Sequence, residues 1–329
     1  MATVAERAGV SAQTVSRVAN GHTNVDAATR DRVVAAMTEL GYRPNSAARA
    51  LKRGTFNTIG VIVFNLKSVG NLRSLDAVSV AASSAGFSIN FVPIANPTPA
   101  DVSIAFSRLT DHAVDGIIVV IESHLLRASE FELPVGLPIV IMDSITRDDL
   151  PIIDNDQFLG ARQATQHLLD LGHASVWHIA GPPNSISSIQ REKSWRTTLE
   201  AAGAEVPTVL YGDWSADSGY EHGRTLAALG DVTAIFAAND QMALGAIRAM
   251  HEAGRPVPEH VSVVGFDDVE DAANFWPPLT TVHQDFTELG RRAVTALIGE
   301  IRHVPHAIHT LPVPTRLVVR QSTAPPPAH

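Results

Sequence analysis

Apolar residues in the first forty positions recur at helical spacing, in three short stretches separated by turn residues. The first stretch predicts a helix that starts at Val4, because Thr3 and Glu6 have the spacing of a capping box. Gly9 predicts its end, since glycine readily adopts the positive φ that closes a helix. The small apolar face of this helix consists of Val4, Ala5 and Ala8.

The second stretch predicts a helix from Ala12 to about Asn20, with Ser11 as its N-cap. Val15 and Val18 lie on one side of it, three positions apart. The other side carries polar side chains that can contact base edges or phosphates: Gln13, Thr14, Ser16, Arg17 and Asn20. This is the layout of a helix-turn-helix, and also that of an ordinary helical hairpin with a solvated polar face.

A third helix is predicted after Asp26, which can cap it, and before Gly41. Its predicted apolar face consists of Val33, Val34, Met37 and Leu40. Pro44 then interrupts the chain, and Asn45 can cap a helix of barely two turns over 46–52. So short a helix is unstable alone, so it is expected to order only when something holds it.

From Thr58 onward the pattern changes to continuous apolar runs that alternate with helical stretches, in two sets at about 58–154 and 155–283. Such runs are typical of parallel sheets covered by helices on both faces, so we expect two doubly wound α/β subdomains. Ligands of such folds bind beyond the carboxyl ends of the strands. The residues at those ends are Asp143, Gly181, Trp214, Asn239, Asp240, Asp267 and Asp268.

The composition excludes several classes of protein and of functional site. The 329 residues include no cysteine, which excludes disulfides, thiolate metal sites and cysteine nucleophiles and fits a reducing cytoplasm. There is no secretory pattern at the start and no apolar run of the roughly 18 residues that a membrane helix needs. We therefore expect a cytoplasmic protein with no membrane partner.

The charge is unevenly distributed. The chain carries −9 overall, yet residues 1–53 hold eight Lys or Arg against four Asp or Glu, which leaves −13 for the remainder. A basic head on an acidic body predicts a head that meets phosphates and a body that does not.

Several long motifs carry a resemblance to a known family. The stretches VAERAGVSAQTVSRVANG, TRDRVVAAMTELGYRPNSAARAL and TIGVIV resemble the head and hinge of LacI/GalR-type transcription regulators. In the body, GDWSADSGY, AANDQMALGAIRAM, VSVVGFDD and PPLTTVHQDFTELG look especially like the family's lactose-responsive member. The resemblance covers nearly the whole chain and implies a DNA-binding head, a hinge helix and two subdomains of the periplasmic-binding-protein type.

The resemblance also implies boundaries. The head is expected at 1–44, the hinge and linker at 45–57 and the effector-binding and dimerisation core at 58–319. Within the core, the first subdomain is expected at about 58–154 and 285–313, and the second at about 155–284. The Pro-rich tail, 320–329, is expected to be disordered.

Residue roles follow from the resemblance position by position. DNA contacts are implied for Ala12, Gln13, Thr14, Ser16, Arg17, Asn20, Tyr42, Asn45, Ala48, Leu51 and Lys52. Leu51 matches the hinge leucine that wedges into a minor-groove step, which suits the bending of DNA by an apolar side chain. Without that context it would be read as a helix-packing leucine.

Effector contacts are implied for seven residues of the core. Hydrogen bonds to a ligand are implied for Asp143, Arg191, Asn239, Asp267 and Gln284, and packing on a sugar ring for Trp214 and Phe286. Such groups suit vicinal hydroxyls and the apolar face of a sugar. Three of them have plainer readings, since Asn239 can cap a helix, Asp267 can belong to a turn and Trp214 can be a core residue.

The chain also departs from the family pattern. Phe64 and Ser83 stand where a small polar residue and an acid are expected to recognise one end of the sugar, which weakens the match to a galactoside on that side. Ala12 can contact a thymine methyl but forms no hydrogen bond, so the operator is expected to differ. The family has further residues ahead of Val4, so either the true start lies upstream or the head binds DNA weakly. No leucine heptads follow the core, so a homodimer on a palindromic operator is expected.

Enzymes and receptors are the competing classes. The chain has no Walker loop, G-x-G-x-x-G or G-x-S-x-G motif, and Pro305 interrupts the spacing of His303, His306 and His309, so no metal or other cofactor is expected. Asp143 and Asp267 have the chemistry of a glycosidase pair, but an enzyme needs no three-helix head. A sugar receptor without a regulatory role fits the body but not the basic head.

The sequence thus predicts a repressor of a sugar-utilisation operon, released from its operator by a sugar, with a β-galactoside as the first candidate. The open alternatives are another sugar, a nucleoside or a co-repressor.

Overall fold

The computed structural model describes residues 1–42, 54–64, 66, 68–94, 98–120, 133–142, 150–304 and 312–327. The chain divides into two compact units, Met1–Phe56 and Asn57–His329. We call the first unit the head and the second the core.

The head contains the three predicted helices: α1 (Ala2–Ala8), α2 (Ala12–Ala19) and α3 (Ala27–Glu39). They meet in a small apolar cluster that consists of Val4, Ala5, Ala8, Val15, Val18, Val33 and Ala36. A bidentate ion pair also joins α1 to α3, with the Arg7 guanidinium 2.8–2.9 Å from the carboxylate oxygens of Glu39. Because both side chains are more than half exposed, this pair contributes little compared with the apolar cluster.

The predicted helix boundaries are largely confirmed. Ser11 Oγ accepts a hydrogen bond of 3.1 Å from the backbone N–H of Thr14, and Asp26 caps α3 in the same way. Gly9 has φ 66° and closes α1. The capping box at Thr3 is wrong, because α1 begins two residues before the predicted Val4, at Ala2, with no side-chain cap.

The predicted apolar face of α3 is wrong in part. Val33 is buried, but Val34 is 49% exposed and Leu40 is 42% exposed. The second buried position is Ala36, which lies three residues after Val33 and so shares its side of the helix. Val34 is turned about 100° away from Val33 by the pitch of the helix.

The first sheet of the core is parallel throughout, in the order β2-β1-β3-β4-β5. Its strands are β1 (Thr58–Phe64), β2 (Ser88–Ile94), β3 (Gly116–Val120), β4 (Ile139–Met142) and β5 (Ile152–Ile153). The helices α4 (Val69–Ser84) and α5 (Pro99–Asp111) connect its strands and lie on opposite faces.

The second sheet has the order β11-β10-β9-β8-β6-β7, and only the β10–β11 pair is antiparallel. Its strands are β6 (Trp177–Ala180), β7 (Leu210–Tyr211), β8 (Ala234–Ala237), β9 (Ser262–Asp267), β10 (Thr280–His283) and β11 (Arg316–Val318). The helices that follow in the chain are α6 (Gln157–Asp170), α7 (Ile186–Ala201), α8 (Ala216–Ala227), α9 (Asp240–Glu252) and α10 (Phe286–Ile301). Helices α6 to α9 cover the second sheet on its two faces, whereas α10 packs on the first sheet.

The chain therefore crosses between two lobes more than once. We call the described parts of 58–154 and 286–304 the first lobe, and the described parts of 155–284 and 313–327 the second lobe. Crossovers occur at Asp154–Asn155, between β10 and α10, and near Val313, which pairs with Asn155 in a parallel bridge. Two doubly wound α/β lobes are thus confirmed, and the crossovers place a cleft between them.

The expectation of a disordered tail is wrong for 320–327. The side chain of Ser322 is fully buried, where its Oγ donates to the carbonyl oxygen of Val263 at 2.6 Å. Ala324 N–H donates to Ser262 Oγ at 3.0 Å, and Arg320 N–H donates to Thr280 Oγ1 at 2.9 Å. These long-range partners hold the segment along β9 and β10, although its high proline content predicted disorder.

Candidate ligand-binding site and nucleic-acid interface

A narrow cleft lies between the lobes, beyond the carboxyl ends of the strands. Both lobes contribute its walls. The second lobe and the crossovers contribute Asp154, Asn155, Gln157, Ser187, Arg191, Trp214, Asn239, Asp267 and Gln284. The first lobe contributes Ser68, Gly70, Asn71, Ser74, Phe286 and Leu289. Six of the seven predicted effector residues thus line one cavity.

Arg191 organises the second-lobe wall from α7. Its side chain is 4% exposed, and its Nε donates to Gln157 Oε1 at 2.8 Å. Its Nη1 donates to the carbonyl oxygen of Ala238 and lies 3.6 Å from Asp267 Oδ1. The guanidinium also stacks 3.7 Å from the centroid of the Phe266 ring. A buried cation with this many partners fixes the position of the carboxylate beside it.

Asp267 ends β9 and points its carboxylate into the cleft. Gln284 Nε2 donates to Asp267 Oδ1 at 2.6 Å, and Gln157 Nε2 donates to Gln284 Oε1 at 3.3 Å. Burial raises the pKa of Asp267 to about 6, although the positive charges of Arg191 and Arg73 oppose that rise. The carboxylate therefore becomes a full hydrogen-bond acceptor only above about pH 6.

Asn239 serves as the predicted N-cap. Its Oδ1 accepts a hydrogen bond of 2.9 Å from the backbone N–H of Met242 and so starts α9. Its Nδ2 donates to the carbonyl oxygen of Trp214 at 3.0 Å. One amide thus holds both a helix and the loop that carries the aromatic side chain of the cleft.

Trp214 sits at the rim of the cleft in a left-handed conformation, with φ 72°. Its ring lies so close to Gly181 that a Cβ there would approach a ring carbon to 2.3 Å. Glycine at the end of β6 is therefore what makes room for the indole. Trp214 is partly exposed, lines the cleft and also packs against an apolar cluster of the second lobe, so its contact with a ligand stays a prediction.

Two buried polar atoms of the cleft lack a hydrogen-bond partner among the described residues. They are the donor Trp214 Nε1 and the acceptor Asn155 Oδ1. Leaving such atoms unpaired costs about 1–3 kcal/mol each, so a polar ligand that satisfies them gains correspondingly.

Apart from Phe286, sequence reasoning missed the residues of the first-lobe wall and of the crossover. Ser68, Asn71 and Ser74 are buried polar residues near the start of α4. Asp154 and Asn155 directly follow the apolar pair of β5, and this position was available as a signal, because polar residues after a strand are where ligands bind. Burial raises the pKa of Asp154 to about 6.

The two departures from the family pattern do not lie in this cleft. Phe64 is 1% exposed and packs in the apolar cluster between the first sheet and α5. Ser83 lies on the exposed side of α4. The expectation that these two positions recognise one end of the ligand is therefore wrong for this cavity.

The head presents its predicted DNA-contacting side chains on α2. Ala12, Gln13 and Arg17 are exposed, whereas Val15 and Val18 are buried beneath them. Thr14, Ser16 and Asn20 are half-buried, and Tyr42 packs partly against the apolar cluster of the head. An exposed amide and guanidinium one turn apart match the donors and acceptors that read adenine and guanine.

Some predicted residues lie outside the described ranges. They are Asn45, Ala48, Leu51 and Lys52 of the hinge, and Asp143 of the core. His306 and His309 also lie outside them, and among the described residues no group of three metal-ligating side chains was found. Within the same ranges, every helix is too short or too polar to span a lipid bilayer.

Comparison with known proteins gives consistent matches for both units. Residues 1–45 match the family described as "Bacterial regulatory proteins, lacI family", and residues 165–323 match the "Periplasmic binding protein-like domain". The chain is 36% identical to the lactose operon repressor of Klebsiella pneumoniae, over 98% of this chain and 91% of that protein. It is 33% identical to the transcriptional repressor PurR of Mannheimia succiniciproducens, over 97% of both.

A solved structure extends the likeness to three dimensions. The lac repressor dimer bound to operator and the anti-inducer ONPF aligns with a TM-score of 0.89 at 34% identity, over 98% of both chains. The relatives are transcriptional repressors rather than enzymes, and the resemblance inferred from the motifs is confirmed.

Proposed function

The chain belongs to the LacI family of bacterial regulatory proteins, and on that premise we propose that it represses a sugar-utilisation operon. It binds a palindromic operator as a homodimer and releases it when a sugar enters the cleft of the core. We further propose that it acts in the cytoplasm, on the nucleoid.

The head supports the DNA-binding part of the proposal. Helix α2 exposes Gln13 and Arg17, and its two valines anchor it to the head. In a major groove, Gln13 pairs with adenine and Arg17 with guanine, while Thr14 and Ser16 reach phosphates. The wedge role of Leu51 and the contacts of Asn45, Ala48 and Lys52 rest on the family resemblance alone.

The cleft carries the effector part of the proposal. The supporting observation is the convergence of Arg191, Asn239, Asp267 and Gln284 with the rim residue Trp214 and with Phe286 at the first-lobe wall. Carboxylate, amide and guanidinium groups satisfy vicinal hydroxyls, and an aromatic face covers the apolar C–H face of a sugar ring. A β-galactoside is our first candidate, and a role for Asp143 is carried over from the family.

The first lobe supports the dimer. Helix α4 exposes Leu72 and Val80 along a groove that it forms with α10. Exposed apolar side chains over a contiguous groove mark a surface that a partner covers, and a second copy of this chain is the partner proposed here. A two-fold dimer matches a palindromic operator.

Fluorescence anisotropy tests both parts together. Labelled DNA from upstream of the gene is titrated with the full-length protein, and then galactosides, glucosides and nucleosides are added at micromolar to millimolar concentration. Release by a galactoside alone supports the full proposal. Release by another compound, or none, overturns the galactoside assignment but leaves DNA binding in place.

Two variants serve as controls for that titration. Arg17→Ala should lose sequence-specific binding, worth about 1–3 kcal/mol for a bidentate base contact, and keep weak nonspecific binding. Trp214→Ala should keep operator binding and lose its response to the sugar. Equal specific and nonspecific binding by the unmodified protein would contradict the repressor assignment itself.

A further inference from the structure

Arg73 reaches from helix α4 of the first lobe to the backbone of the second lobe. Its Nη1 donates to the carbonyl oxygen of Asp267 at 2.9 Å and to that of Asp268 at 3.3 Å. Its guanidinium also lies 4.7 Å from the centroid of the Phe286 ring. One side chain thus joins three positions: helix α4, the end of strand β9 and an aromatic wall of the cleft.

The two carbonyls that Arg73 holds belong to an unusual turn. Asp267 has φ 109° and Asp268 has φ 49°, and neither is glycine. Consecutive positive φ values are costly for such residues, so the surrounding contacts must hold them. The turn points the carboxylate of Asp267 into the cleft and that of Asp268 outward, where it accepts from Arg320 at 2.6 Å and lies 2.9 Å from His283 Nδ1.

Asp267 is consequently flanked by a cation from each lobe. Arg191 approaches its carboxylate from the second lobe at 3.6 Å, and Arg73 binds its carbonyl oxygen from the first. A charge-assisted hydrogen bond to a carbonyl is stronger than a neutral one, and here it joins the two lobes. Any ligand that moves Asp267 or the lobes must therefore either keep or break the contact of Arg73.

Helix α4 carries Arg73 next to the surface proposed for dimerisation. Leu72 is 47% exposed and Val80 is 58% exposed on the same helix. Arg73 itself lines the groove between α4 and α10, together with Asp76 and Arg291. A displacement of Arg73 is thus a displacement of the helix that faces the second copy.

We propose that Arg73 is the positioning residue that couples effector occupancy at Asp267 to helix α4, and through it to operator affinity. This inference rests on the proposed function, since it concerns how ligand binding in the cleft changes the affinity for the operator. Without Arg73 the protein still binds sugar and still binds DNA, but the two events no longer influence each other to the same degree.

The first test needs no effector. Hydrogen exchange by mass spectrometry is measured on the full-length protein without ligand, for Arg73→Ala, Arg73→Lys and the control Arg108→Ala. The control removes an exposed arginine of the same lobe from helix α5, which packs on the other face of the first sheet, away from the groove. Loss of a charge-assisted contact predicts exchange about tenfold faster at 266–272 in Arg73→Ala, little change in Arg108→Ala and partial rescue in Arg73→Lys.

The second test measures the coupling itself. Operator affinity is determined with and without methyl β-D-galactoside, and the ratio of the two is compared among the same variants. We expect the ratio to fall about tenfold in Arg73→Ala and to recover in part in Arg73→Lys, with Arg108→Ala unchanged. A merely structural role would lower both affinities and leave their ratio intact.

The two tests separate the possible failures. If 266–272 exchanges identically in Arg73→Ala and in Arg108→Ala, Arg73 does not hold the turn and the inference is overturned. If exchange accelerates but the coupling ratio is unchanged, Arg73 holds the turn without transmitting occupancy, which also overturns it. If methyl β-D-galactoside does not affect the unmodified protein, the galactoside assignment fails, and the exchange result still decides whether Arg73 ties the lobes.

Discussion

The two lobes of the core share a topology but bury very different chemistry. Among the described residues, and apart from Asp154 at the crossover, the buried polar side chains of the first lobe are Ser68, Asn71 and Ser74, which are uncharged and line the cleft. The second lobe buries many more, including Arg191, Asp240 and Asp267, and its histidines His173 and His178. The core of the first lobe is otherwise apolar.

This difference indicates that the two lobes contribute to ligand binding in different ways. The second lobe holds the charged groups of the cleft in a hydrogen-bonded network, in which Gln157 joins Arg191 to Gln284 and Gln284 joins Asp267. The first lobe presents short, uncharged side chains to the same cleft. We therefore expect changes in the second lobe to affect folding and binding together, and changes in the first lobe to affect binding alone.

Among the variants that test this comparison of the lobes, Arg191→Met is expected to change the free energy of unfolding most. Removing the cation leaves Asp267 buried without its partner, so we expect a loss of about 3–5 kcal/mol in the free energy of unfolding. Denaturant unfolding followed by circular dichroism measures it. Arg196→Met, on the same helix but 43% exposed and paired with Glu192, should cost less than about 1 kcal/mol. Equal costs for the two variants would refute the view that the second-lobe network is structural.

Gly181→Ala in the second lobe and Gly60→Ala in the first lobe compare how tightly the two lobes are packed around a glycine. In Gly181→Ala, the new Cβ would lie 2.3 Å from a carbon of the rigid Trp214 ring, so we expect about 1–3 kcal/mol of destabilisation and displacement of the indole. Gly60→Ala in the first lobe meets aliphatic side-chain atoms at longer distances, with Leu109 Cδ1 at 2.8 Å and Ile117 Cγ1 at 3.2 Å, and should cost less. Thermal melts and tryptophan emission report both effects, and Gly230→Ala, which meets nothing within 4 Å, provides the baseline.

Asp240→Asn should change how stability depends on pH. Burial, together with the nearby charge of Asp267, raises the pKa of Asp240 from 3.8 to about 8. The folded state therefore keeps a proton that the unfolded state releases between about pH 4 and 8, so stability falls as the pH rises through that window. One such group contributes a slope of up to about 1.4 kcal/mol per pH unit. Denaturant titrations at several pH values should show a flatter profile for Asp240→Asn.

Ser74→Ala is expected to have the smallest effect on stability. Its side chain faces the cleft from α4 and carries no charge, so we expect less than about 1 kcal/mol of change in unfolding and a shift of a few-fold in the affinity for sugars. Isothermal titration with the sugar that releases the operator measures the shift. A loss of stability comparable to that of Arg191→Met would remove the distinction between the lobes.

Much of the architecture was predictable from local pattern. The helix caps at Ser11 and Asp26 and the alternation of apolar runs with helices depend on residues near in sequence, and the structure has them. The strand β11 and the ordered segment 320–327 were not predicted, because they are held by distant partners such as Ser262 and Val263. Local composition contains no information about such partners.

The residues of the candidate site also divide into those that sequence motifs predict and those that depend on distant contacts. Arg191, Trp214, Asn239, Asp267, Gln284 and Phe286 were found because long motifs carry them, and the structure brings them to one cavity. Arg73 and Ser74 were missed, since their importance comes from the approach of α4 to the other lobe. Phe64 and Ser83 were misplaced, because similarity of sequence position does not fix which way a side chain points.

The double duty of Asn239 has a consequence for how such a protein changes over generations. The amide that faces the cleft also starts α9 and holds the Trp214 loop, so few substitutions there are neutral for folding. Changes in the preferred ligand are then expected mainly in the other wall, for example at Ser74, which lies within helix α4 rather than at a helix cap. Descendants of this chain would therefore acquire new ligand preferences through substitutions in the first-lobe wall, while the second-lobe wall would stay nearly unchanged.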